Sequence, residues 1–83
     1  MKLSFEEILN FASKRLSVKN GEEFFKWLVE NFGIPGENKY NKVRAIADVI
    51  CTCLEFNGYY RDLDPEDDFW DYEEIKAKVS MNI

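Results

Sequence analysis

The stretch Val43-Arg44-Ala45-Ile46-Ala47-Asp48-Val49-Ile50-Cys51-Thr52-Cys53-Leu54-Glu55-Phe56-Asn57-Gly58 decides the fold. Its apolar residues fall on most sides of a helical projection, so the spacing predicts a helix over about 39–57 with other helices wrapped around it. Asn57-Gly58 ends that helix. Gly58 is placed to take the left-handed position, and Tyr59 to fold back on Leu54.

Working outward, each neighbouring segment carries its own start and stop chemistry. Upstream, Ser4 and Glu7 have the spacing of a capping box, with Leu3 and Ile8 placed as a hydrophobic staple. Phe5, Ile8, Leu9, Ala12 and Leu16 then make one apolar face, predicting a helix over about 5–17. Asn20, with Glu23 three residues on, opens a second helix over about 21–32. Gly33 is expected in the left-handed position after it, Ile34 is expected to fall back on Val29, and Pro35 prevents continuation. Downstream, Asp64-Pro65 is a side-chain cap followed by the residue best suited to a first helical position, and Glu66, Asp67 and Asp68 suit the positive end of a helix dipole. A fourth helix is therefore predicted from there. The expectation is an all-α compact bundle of about four helices, one domain over 1–83, with Ile8, Leu9, Phe24, Leu28, Ile46, Ile50 and Leu54 in its core.

Composition narrows function. The chain has 83 residues and no histidine, so Ser-His-Asp and Cys-His arrangements and His-ligated zinc are impossible. Cys51 and Cys53 lie two apart on a helix, pointing in diverging directions among apolar neighbours, and read as reduced core residues. The four glycines stand singly, so no phosphate-cradling loop is visible. Asp62, Asp64, Glu66 and Glu73 match four positions of a calcium loop, but Asp67 stands where such a loop needs glycine. The expectation is no enzyme, no cofactor and no metal. No apolar run approaches the ~20 residues that cross a bilayer. The N-terminal residues carry no apolar stretch of the export type, so a cytoplasmic protein is expected, with no membrane partner.

Charge supplies the positive clue. Residues 1–61 sum to +1 and residues 62–83 to −6, giving the net −5. Such polarity repels nucleic acid and attracts a basic protein. Continued as a helix, the acidic segment places Phe69, Tyr72, Ile75 and Val79 on one face and Asp67, Asp71 and Glu74 on the other. Carboxylates spaced in this way lie roughly 5–6 Å apart, near the spacing of phosphates on a nucleic-acid strand. Trp70 projects to one side of that stripe. It reads either as a partly exposed aromatic anchor ringed by acids or as a cover for a neighbouring helix. The predicted partner-binding residues are Tyr59, Tyr60, Asp62, Asp64, Asp67, Asp68, Trp70, Asp71 and Glu74.

From Ile50 to Val79, the aliphatic helix, the aromatic and acidic turn and the last helix bearing Glu73-Glu74-Ile75 resemble the colicin D type of self-protective immunity protein, including those of contact-dependent growth inhibition. The resemblance implies a small helical antitoxin that fills the basic cleft of a ribonuclease toxin. In it, Asp62, Asp64, Asp67, Asp68 and Asp71 would stand for tRNA phosphates. Two other classes fit the same features. One is a phage or mobile-element inhibitor of a nucleic-acid-binding defence complex. The other is a helical regulatory module that binds a protein through an apolar groove.

Overall fold

The computed structural model describes residues 2–32, 38–61, 63, 64, 66 and 68–83. Helices α1 (Phe5–Ala12), α2 (Gly21–Asn31), α3 (Lys39–Phe56) and α4 (Tyr72–Met81) make an all-α domain, with no strand among the described residues. α1 pairs with α2, α3 pairs with α4, and α1 joins the two pairs by packing on α3. The expected core residues are all buried, together with Ala12, Val43, Ala47, Trp70, Ile75 and Val79.

Local chemistry explains most boundaries. Ser4 Oγ accepts from the Glu7 N–H while Glu7 Oε1 accepts from the Ser4 N–H, which completes the capping box. Asn20 and Asn38 cap α2 and α3 through their side-chain oxygens. At the end of α3, Gly58 has φ 82°, its N–H donates to the Glu55 carbonyl and the Tyr59 N–H donates to the Leu54 carbonyl. This paired closure is the one that a left-handed glycine makes possible. Gly33, Ile34 and Pro35 lie outside the described residues.

Two boundaries differ from expectation, each for a tertiary reason. α1 stops at Ala12, not near residue 17, because the Asn57 amide donates to the Phe11 and Ala12 carbonyls. Those carbonyls are satisfied from α3's end and need no further helical turn. Residues 13–16 continue instead as tight turns, and Asn10 Oδ1 accepts from the Gly21 N–H. A Cβ on Gly21 would lie 2.5 Å from the Asn10 nitrogen, so the close approach of α1 and α2 depends on glycine there. The second difference is α4, which begins at Tyr72 and leaves Asp64, Glu66, Asp68, Phe69 and Trp70 non-helical, while Pro65 lies outside the described residues. The N-cap of α4 is Asp71, whose side chain accepts from the Glu74 N–H.

Candidate functional site

The late start of α4 leaves Leu63, Asp64, Glu66 and residues 68–71 outside any helix among the described residues, and Trp70 determines how this loop is held. Trp70 is only 6% exposed. Its backbone N–H donates to the Tyr59 hydroxyl at 3.0 Å, and its carbonyl accepts from the Tyr60 hydroxyl at 2.8 Å. Its indole Nε1–H donates to the Leu3 carbonyl at 2.7 Å, and its ring lies 5.8 Å from that of Phe5. With all three polar groups of the residue bonded, the indole is buried without an unsatisfied donor. These bonds engage the N–H and C=O that a helix through Trp70 would use, and Trp70 lies in no regular element.

The aromatic residues of the segment thus face inward. Tyr59 and Tyr60 are half-buried and contact each other edge to face at 4.9 Å, Tyr59 meets Phe11, and Tyr60 meets Phe69. Burial pushes the Tyr60 phenol well above its ordinary pKa of 10.0 and raises the half-buried Cys51 and Cys53 thiols.

The carboxylates face outward. Asp64, Glu66, Asp68, Asp71 and Glu73 are exposed, while Asp62 and Asp67 lie outside the described residues. Lys2 anchors one side of this surface. Its ammonium donates to Glu74 Oε2, lies 3.7 Å from Asp68 Oδ1 and sits 4.8 Å from the centre of the Trp70 ring. The Glu74 hydrogen bond, with Asp68 adding to it, raises the Lys2 pKa.

Of the two readings of Trp70, burial selects the cover for a neighbour over the exposed anchor, with its indole N–H donated to the Leu3 carbonyl. The expected site is otherwise corrected in two respects. Tyr59 and Tyr60 are supports whose hydroxyls bind the Trp70 backbone. The stripe drawn through Asp67, Asp71 and Glu74 is not a helical stripe, since Asp71 is a cap preceding the helix and Glu74 is engaged by Lys2. Asp64, Asp68 and Asp71 do share an exposed acidic loop, joined by Glu66 and Glu73. Lys2 had no distinguishing mark in the sequence, because nothing local reveals a partner 72 residues away.

No histidine, cysteine or carboxylate group of three or more with metal-holding geometry is formed among the described residues, and no helix among them is long and apolar enough to cross a membrane. An apolar groove lies between the ends of α1 and α3, lined by Ala12, Leu16, Cys53 and Phe56, with Phe56 76% exposed. No family model, curated protein or solved structure matches the chain.

Proposed function

We propose that this protein is a non-enzymatic inhibitor of the immunity type, acting in the cytoplasm by laying its acidic loop over the basic substrate cleft of a nucleic-acid-processing toxin or effector. The observation that carries this reading is the Trp70 clamp. It turns the aromatic half of the segment inward and leaves Asp64, Glu66, Asp68, Asp71 and Glu73 on a fastened base. A charged surface held in advance loses less conformational entropy on binding than a flexible acidic tail would. Excess negative charge on one side speeds encounter with a basic cleft, and the paired charges that lose water hold the complex.

The test uses positions that do not support the fold. Glu66 has no structural partner among the described residues, and Asp68 makes only an exposed, solvent-screened contact to Lys2. The double variant Glu66→Lys/Asp68→Lys is expected to keep its helical circular dichroism. Its affinity for a basic ribonuclease toxin encoded beside its own gene should fall by more than about tenfold, and wild-type affinity should fall steeply with salt. Unchanged protection of cells by the double variant would overturn the reading in favour of docking through the Leu16–Phe56 groove.

A further inference from the structure

A groove runs between α1 and the first half of α2, lined by Phe5, Glu6, Leu9, Glu22, Phe25 and Asn82. Its volume is about 270 Å³, under the roughly 300 Å³ at which small-molecule pockets begin, so it suits one side chain better than a whole ligand. Phe5 and Phe25 are half-buried, with their rings edge to face at 5.9 Å, and with Leu9 they give the groove an apolar floor.

The charge around that floor has a single sign. Glu6 and Glu22 are exposed, and neither has a cationic partner among the described residues. No lysine or arginine is in the lining. The Asn82 amide donates to the Lys78 carbonyl at 2.7 Å, which leaves its Oδ1 as an acceptor. Each acid has a local reason to stand in a first helical turn, since it meets the positive end of its own helix dipole. That reason does not bring the two to one phenylalanine floor. The close approach of α1 and α2 at Gly21 does.

We propose that this groove is a docking site for an arginine side chain of a protein partner. The aliphatic stem lies on Phe5 and Phe25, and the planar guanidinium, with five donors and no acceptor, meets Glu6 and Glu22. Charge complementarity selects a cation here, and the net charge of −5 acts in the same direction. A metal ion is the poorer fit, because only two carboxylates line the groove and no metal-holding group of three forms among the described residues. Lysine is also the poorer fit. Its ammonium is a strongly hydrated point charge, whereas guanidinium is weakly hydrated, stacks on aromatic rings and presents a fork to carboxylates. None of the lining residues belongs to the acidic loop, so this site stands or falls apart from the reading given above.

The test titrates the isotope-labelled full chain with acetyl-Gly-Gly-Arg-Gly-Gly-amide at low salt, alongside the lysine and citrulline analogues of that peptide. The arginine peptide should bind with a Kd of about 1–10 mM, and amide shifts in the nuclear magnetic resonance spectrum should be largest at residues 5–9 and 22–25. The lysine peptide should bind at least about threefold more weakly, and neutral citrulline should give no shift there. Glu6→Gln and Glu22→Gln retain a good helix former, so circular dichroism should be unchanged while each weakens binding about three- to tenfold. Glu66→Lys/Asp68→Lys lies outside the groove and should change it less than about twofold. No shift by about 20 mM, larger shifts at residues 64–74 than in the groove, equal binding of the lysine peptide, or unchanged binding by both glutamine variants would each overturn the proposal.

Discussion

The two tryptophans lie in opposite settings. Trp27 sits in the middle of α2, within regular helix, and is 48% exposed. Trp70 sits in a loop without regular structure and is 6% exposed. α2 satisfies its backbone internally, so the helical period alone decides that Phe24 and Leu28 point inward and Trp27 outward. In the loop no ladder exists, and the backbone of Trp70 is satisfied only by Tyr59 and Tyr60. Side-chain hydrogen bonds therefore do for the acidic loop what a helix does for α2, and they fix which way its residues face.

That contrast is most open to breakage at the tryptophans themselves. Trp70→Ala should destabilise the fold by roughly 3–5 kcal/mol, while Trp27→Ala, which loses mainly an edge contact with Phe32, should cost about 1 kcal/mol or less in urea titration. Equal effects would remove the distinction. Fluorescence gives the same contrast without loss of stability. A Trp27→Phe variant should emit at short wavelength from Trp70 alone and shift red only on unfolding.

The support beneath Trp70 is the next point of attack. Tyr60→Phe deletes the hydrogen bond to the Trp70 carbonyl and the hydroxyl's contact with the Cys51 thiol, and should cost about 0.5–1.5 kcal/mol. Its pH signature is more specific. The phenol is raised in the folded protein, so its contribution is whole below pH 10.0 and is lost as pH climbs above that value. The raised Cys51 and Cys53 thiols start a similar decline near their ordinary 9.0. In wild type, ultraviolet titration should show Tyr60 ionising later than an exposed tyrosine, and the Tyr60→Phe variant should lose less stability over the same alkaline range.

Lys2 gives the smallest expected effect. Lys2→Met keeps an apolar stem near Trp70 but removes the charge beside Glu74 and Asp68, and should lower the melting temperature by less than Tyr60→Phe does, because the pair is partly exposed. A much larger loss would place Lys2, and not Trp70, at the centre of the loop's anchorage.

Where the chain carries local signals, structure and sequence agree closely. Ser4 with Glu7, Asn20 and Gly58 act where their chemistry predicts, and the apolar period of α3 places Ile46, Ile50 and Leu54 in the core. The expected start of α4 at Asp64-Pro65 passed over Asp71, whose side chain accepts from the Glu74 N–H and caps the helix. Bonds from Tyr59, Tyr60 and Leu3 to Trp70 decide between them, and no local pattern encodes those. The same holds for α1, shortened by an amide 46 positions away. Acidic character was readable from composition, but its display as a loop depended on these distant bonds.

The hydrogen bond from Trp70 to Leu3 spans 67 positions and has a consequence for synthesis. At about 5–20 residues per second, the ribosome needs about 3–13 s after making Leu3 to deliver the indole that binds it. During that interval Phe5 has Phe25 but lacks Trp70, the second ring it packs against, and the carbonyl of Leu3 remains with water. The start of α1 is therefore among the first parts of the domain to be made and among the last to reach their final contacts.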